Sequence, residues 1–208
     1  MKSESIEIKY ETLSFDELDN KEKELIECAK NATYSAYSPY SSFSVGAAVR
    51  LENNEIVIGS NQENIAYPSG LCAERVALFA AGTRKEKITT LAIAARNKNN
   101  EWTKAFPCGA CCQVLQESQL RAKKRITILI LINENEILRL KGAESLLPFS
   151  FSFIPTISVI VLKNSSSVLF VTNLLYALTN GSSVVLFFIV ATALTTDCLY
   201  SSVFKSLN

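Results

Sequence analysis

Cys72-Ala73-Glu74-Arg75 and, after a wide gap, Pro107-Cys108-Gly109-Ala110-Cys111 place three thiols and a carboxylate where they could act together. Three sulfurs suit a zinc ion, which takes tetrahedral soft donors and, in catalytic sites, keeps one position for water. Cys108 and Cys111 are three residues apart at a helix start, so both sulfurs can point at one ion. Cys72 supplies the third from the start of the preceding helix. Glu74 lies two positions on, and helical positions two apart do not face each other. Its carboxylate therefore need not be a ligand. It can serve the water, as a general acid/base must.

The chain contains no histidine. That excludes His-ligated metals, Ser-His-Asp and Cys-His nucleophile systems and histidine bases. Zinc with three thiolates carries a net negative charge, a poor setting for activating water. Two helix N-termini and Arg75, as a thiolate-neutralising donor, could restore the electrophilicity. Spacing alone leaves structural zinc and redox use of the C-x-x-C pair open. Cys112 is a weak fourth ligand, because adjacent helical side chains diverge by about 100°.

The 208 residues suffice for one domain with a proper core plus an appendage. The formal net charge is +1, with no basic field to attract a nucleic-acid polymer. The start, Lys2-Ser3-Glu4-Ser5-Ile6-Glu7, is polar where a secretory signal needs a basic and then an apolar run. The six cysteines thus read as reduced thiols of a cytoplasmic protein. Of 41 charged residues only Lys163, Asp197 and Lys205 lie beyond Pro148. Composition alone therefore sets a boundary near Phe151, dividing the chain into 1–151 and 152–208.

Ile6, Ile8 and Tyr10 alternate with charged neighbours as a short strand or extended arm. Ser14 and Glu17 form a capping box predicting a helix to about Thr33, with Leu18, Leu25, Ile26 and Ala29 inward. Phe43 to Leu51 alternates, and Asn53-Asn54 turns it into Ile56-Val57-Ile58, a hairpin. A helix from about Cys72 stops at Gly82. Ile88 to Ala95 reads as a buried strand, Asn97 to Phe106 as a loop carrying Trp102, and Gly109 to about Leu120 as a helix. Ile126 to Ile132 and Ile137 to Leu140 complete the strands. This order implies a mixed sheet of five strands with helices packed on it, a layered α/β domain.

These motifs, with Ser38-Pro39-Tyr40-Ser41-Ser42-Phe43-Ser44-Val45-Gly46-Ala47-Ala48 and Asn61-Gln62-Glu63-Asn64, closely resemble the small homotetrameric zinc-dependent cytidine deaminases over about residues 14–151. The resemblance implies a three-layer α/β/α fold, helices on both faces of the sheet, and one zinc ion per subunit. It also implies hydrolytic deamination of cytidine and 2′-deoxycytidine in pyrimidine salvage, in a cytoplasmic homotetramer. Carried over by position, Cys72, Cys108 and Cys111 resemble the zinc ligands and Glu74 the proton shuttle. Asn61 and Glu63 resemble the residues that bond the ribose, and Phe43 an aromatic packed on the nucleoside. Phe151 resembles a residue reaching into a neighbouring subunit's site, and Tyr67 falls at a cross-subunit contact. On residue type alone Phe43 equally suits the core, and Asn61 and Glu63 a solvated turn.

Two departures stand out. The family usually has arginine directly after the last zinc cysteine, where this chain has Cys112. Residues 152–208 have no family counterpart, and Asn164 to Thr196 lacks any charge. That extension reads as non-native or disordered, as a membrane-associating segment, or as an added core layer. The functional alternatives are a deaminase of another aminopyrimidine nucleoside and a catalytically weak, zinc-stabilised protein whose tail attaches to a membrane or partner.

Overall fold

The computed structural model describes residues 2–151 and, within the extension, the strand segments Ile157–Asn164, Ser167–Leu174 and Ile189–Ala191. The chain divides into two units, Met1–Phe151 and Ser152–Asn208. The first unit runs β1 (Tyr10–Ser14), α1 (Asn20–Ala32), β2 (Ser44–Leu51), β3 (Ile56–Ser60), α2 (Ala73–Ala81) and β4 (Ile88–Arg96). It continues with β5 (Trp102–Thr103), α3 (Gly109–Ala122), β6 (Thr127–Leu131) and β7 (Glu136–Lys141). The sheet order is β1-β7-β6-β4-β2-β3, with β5 also on β4. β4 and β6 run parallel, whereas the other described pairs in this sheet are antiparallel.

The sheet therefore has seven strands rather than the expected five. One addition is β1, which pairs with β7 from Tyr10↔Leu140 to Ser14↔Glu136. The alternation at Ile6, Ile8 and Tyr10 marks no strand of its own: all three side chains are exposed, and pairing begins only at Tyr10. The other addition is β5, which turns back on β4 with Arg96 opposite Trp102. Two residues are too few to show a period of two, so β5 reads as loop in the sequence.

α1 also begins later than the Ser14 box implies. Glu17 does reach back to the Ser14 amide, at 2.7 Å, but the box closes a single 3-10 turn, Phe15–Glu17. A second box opens the helix, with the Glu22 amide donating to Asp19 Oδ1 at 2.8 Å. At the other end of the pattern, Gly82 stops α2 without a left-handed turn. Its φ is −61° and its amide still bonds the Leu78 carbonyl at 2.8 Å.

On one sheet face α1 packs Leu25, Ile26 and Ala29 against Ala48, Ala92, Ala94 and Leu129. On the other, α2 and α3 bring Ala77, Leu78 and Leu115 against Val49, Leu91, Ile93, Ile128 and Ile130. This is a three-layer α/β/α arrangement. Because β4 and β6 are covered on both sides, their sequences are largely apolar runs. Each fully buried Leu or Ile contributes roughly 1.5–3 kcal/mol.

Two glycines let the helices lie directly on the strands. A Cβ on Gly46 would sit 2.7 Å from the Thr33 amide nitrogen at the end of α1, and one on Gly59 the same distance from the Ala73 carbonyl oxygen of α2. Charge fastens the edge. Arg139 on β7 bonds Glu11 of β1 at 2.6 Å and both carboxylate oxygens of Glu22 on α1 at 3.0 Å. Trp102 of β5 packs on the α1 side of the sheet, 5.6 Å from the Lys30 ammonium and 5.9 Å from the Arg96 guanidinium.

In the second unit, β8 (Ile157–Asn164), β9 (Ser167–Leu174) and β10 (Ile189–Ala191) form an antiparallel sheet in the order β10-β9-β8. No helix among the described residues is long and apolar enough to cross a membrane. Of the uncharged stretch Asn164 to Thr196, on which the membrane reading rests, residues 165–166, 175–188 and 192–196 lie outside the described residues.

Gly46→Ala is expected to lower the unfolding free energy by about 1–3 kcal/mol, since the clash is with backbone that cannot rotate away. A fall in the urea midpoint at unchanged m-value would show it; an unchanged midpoint would mean that α1 can lift off β2 freely.

Candidate metal centre

Cys72 is the N-cap residue of α2 and Cys108 that of α3, with Cys111 in the first turn of α3. Two helix N-termini, each with unpaired amides and partial positive charge, thus meet at one place. The Cys72 and Cys108 sulfurs are 3.9 Å apart, those of Cys108 and Cys111 3.5 Å, and all three lie within 4.8 Å of one another. A tetrahedral ion with metal–sulfur bonds of ~2.3 Å places its sulfurs roughly 3.8 Å apart. Number, softness and spacing of the donors therefore all fit zinc. The three are free thiols, well beyond disulfide distance.

Their protons reflect the crowding. Cys72 is drawn down to about 5, chiefly by a hydrogen bond from Cys111 and further by Arg75, against the opposing effect of burial. Cys111 is pushed far up, because it is the donor to Cys72 and is itself buried. Without a cation the cluster concentrates its negative charge on Cys72. A bound cation needs all three as thiolates, so binding expels protons.

Glu74 stands in the first turn of α2 and is 5% exposed. Burial raises its carboxyl pKa, and the nearby Cys72 charge adds to that. Bonds from its own backbone and from Cys111, and the Arg75 charge, pull the other way. A carboxyl whose pKa is raised by burial takes up a proton more readily than a solvated one, which suits a group that must carry a proton. Arg75 reaches Cys72 Sγ from Nη2 at 3.9 Å and the Gly70 carbonyl at 3.5 Å. Cys112 is buried and turned from the cluster, its thiol against the Pro107 carbonyl at 3.5 Å. Burial pushes this thiol's pKa up.

Beside the sulfurs lies a cleft of about 750 Å³ lined by Asn61, Glu63, Cys72, Arg75 and Cys108, with Tyr40, Ile65 and Leu71 as apolar wall. Asn61 accepts from the Val45 amide at 2.8 Å and donates to the Phe43 carbonyl at 2.9 Å, fixing the entrance to β2. The Glu63 carboxylate accepts from the Tyr40 amide at 2.8 Å, the Ser41 amide at 3.3 Å and the Ser41 hydroxyl. The Ser41 hydroxyl bond is the main reason that its pKa lies below the usual carboxylate range. These bonds organise the turn Ser38–Ser42, in which Ser42 is held at φ 54°.

The structure thus gathers Cys72, Cys108, Cys111, Glu74 and Arg75 at one point and sets Asn61 and Glu63 along the adjoining cleft. Phe43 is half-buried just before β2, and neither it nor Phe151 lines the cleft within a single chain. Phe151 is 79% exposed and Tyr67, on the cleft rim, 91%. Ser41, Ile65 and Leu71 belong to the site as well. Ser41 was visible in the Ser-Ser pair before Phe43, but Ile65 and Leu71 carry no pattern beyond nearness to Cys72.

A family model described as the cytidine and deoxycytidylate deaminase zinc-binding region matches residues 19–128. The cytidine deaminase of Halalkalibacterium halodurans is 40% identical over 94 residues, covering 45% of this chain and 68% of the relative. That of Sporosarcina psychrophila is 44% identical over 98 residues, 46% of this chain and 68% of the relative. Among solved structures, the cytidine deaminase from Burkholderia pseudomallei superposes with a TM-score of 0.53 at 34% identity, over 62% of this chain and 97% of that one. The chain belongs to the cytidine and deoxycytidylate deaminase family. Family and donor set together make its cofactor zinc, one ion per chain.

Treatment with a strong chelator is expected to release about one zinc per chain and to lower the melting temperature, because an ion bound only to the folded state stabilises it by mass action. Metal analysis alongside a thermal scan reads both. An unchanged melting temperature after full zinc loss would mean that the two helix ends hold together without the ion.

Proposed function

We propose that this chain is a zinc-dependent hydrolase that converts cytidine and 2′-deoxycytidine to the corresponding uridines with release of ammonia. The observation that carries the reading is the cluster of three cysteine sulfurs with a buried carboxylate, Glu74, two residues on from Cys72 in the first turn of α2. The family membership and the cytidine deaminases among its relatives support the substrate.

Cys72, Cys108 and Cys111 would hold the ion, and Arg75 would moderate the charge of Cys72. When bound, zinc supplies Lewis-acid activation of water near neutral pH. Glu74 then takes a proton from the attacking water, places it on the ring nitrogen N3, and later passes a proton to the amino group leaving C4. Water adds, ammonia departs, and the carboxylate ends the cycle as it began. Burial serves this role by raising the Glu74 pKa above the ordinary carboxylate value, which makes it easier for the group to take up a proton.

Asn61 and Glu63 are assigned to the sugar. Both are already fastened to the Ser38–Val45 backbone, so they meet a ligand in fixed positions. A polar pair fixed in this way, half-buried in the free chain, favours ligands that carry the hydroxyl it addresses. Phe43 would pack on the nucleoside, and Phe151 would do so from a neighbouring copy in a homo-oligomer, taken as a tetramer. Residues 1–151 form the deaminase domain, placed in the cytoplasm and in pyrimidine salvage, and 152–208 an extension with no catalytic part.

Glu74→Gln is expected to keep full zinc while lowering kcat for cytidine by roughly 10²–10⁴-fold, the usual contribution of a positioned acid/base. Loss of ultraviolet absorbance by cytidine, with metal analysis, measures it. No turnover by the zinc-loaded native chain would sink the deaminase reading, and equal turnover in the variant would sink the shuttle role alone. Glu63→Ala should raise KM for cytidine by roughly tenfold or more, since a charge-assisted hydrogen bond is lost with the Ser38–Ser42 turn's anchor. Steady-state kinetics across cytidine concentrations would reveal it.

A further inference from the structure

Gln113 is a partly exposed residue on α3, two positions after Cys111. Its amide nevertheless spans both backbone polar groups of a residue 38 positions away. The Phe151 amide donates to Gln113 Oε1 at 3.0 Å, and Gln113 Nε2 donates to the Phe151 carbonyl at 2.6 Å. The glutamine side chain thus imitates the paired N–H and C=O of a neighbouring strand.

Little else restrains that segment. The 3-10 turn Ala143–Ser145 ends with the Leu147 amide on the Ala143 carbonyl at 3.0 Å. From Pro148 to Phe151, the backbone makes no other hydrogen bond to a described residue. Burial does not hold it either, since Phe149 and Phe151 are 87% and 79% exposed. Among the described residues, therefore, one amide alone holds the Phe151 backbone that carries the ring.

We propose that Gln113 is a positioning residue for substrate. By clamping the Phe151 backbone it fixes the ring offered to the nucleoside, and it ties that ring to the helix bearing Cys108 and Cys111. The proposal rests on the reading of Phe151 as a nucleoside contact. If that contact is made in the neighbouring copy, the clamp links the metal-bearing helix of one subunit to the substrate of the next. Gln113→Ala removes both bonds, whereas Gln113→Glu keeps the volume and an acceptor but removes the donor.

The test compares the zinc-loaded full chain with Gln113→Ala, Gln113→Glu, Phe151→Ala and the Gln113→Ala/Phe151→Ala double variant, measuring KM and kcat for cytidine and zinc content. Phe151→Ala and Gln113→Ala should each raise KM by about tenfold, the scale of one lost base–aromatic contact. The double variant should be no worse than Phe151→Ala, because both changes remove the same contact. Gln113→Glu should fall between native and Gln113→Ala, with kcat and zinc content retained throughout.

An unchanged KM in both Gln113 variants, beside a raised KM in Phe151→Ala, would overturn the clamp. So would multiplying effects in the double variant, or loss of zinc or of kcat in the Gln113 variants, which would make the residue structural. An unchanged KM in Phe151→Ala would instead remove the reading of Phe151, and the proposal with it.

Discussion

Three sulfurs crowded within 4.8 Å can all be thiolates only if positive charge is brought to them, and much of the fold answers to that need. The crossovers after β3 and β4 each lead into a helix that starts at a cysteine. Neither Cys72 nor Cys108 makes a side-chain capping bond, although both occupy the position where Ser, Thr or Asp stabilises a helix by ~1 kcal/mol. Helix stability is given up at two termini so that their unpaired amides face the metal position. Gly59 allows α2 to lie against the strand that leads into it, which keeps that terminus in place.

The same charge economy explains the neighbours of the cluster. Glu74 can remain buried because it is not one of the donors and is free to carry a proton. Arg75 can lean on Cys72 because its side chain leaves the same helix turn. Cys112, where the family resemblance calls for arginine, turns to the Pro107 carbonyl and stays outside the sulfur triangle. A neutral thiol there needs no counter-charge in a buried place, whereas a guanidinium would need a partner. The burden of offsetting the sulfurs falls the more heavily on Arg75 and the helix ends.

Much of this was readable from residues alone. The cysteine spacing identified the donors, and the strict alternation in β2 and the long apolar runs of β4 and β6 identified the middle of the sheet. What stayed hidden depends on partners distant in sequence. β1 exists because β7 offers it an edge, and β5 because β4 runs on past the end of its pairing with β6 at Ile93; neither strand is marked by its own pattern. The late start of α1 reflects two capping boxes in succession, of which only the second opens a helix. Similarly, Asn61 and Glu63 showed their residue types but not their bonds to the Ser38–Val45 backbone, and nothing local marks Gln113.

The position of Trp102 has an optical consequence. It is the only tryptophan in the chain, and it packs on the α1 side of the sheet beside two cations, across the strands from α2 and α3. Its emission therefore reports on one layer of a three-layer body. Fraying of the helix ends around the metal position would leave that signal in place, while collapse of the whole domain would shift it. The chain carries a built-in means of telling a local opening from global unfolding, with no added dye.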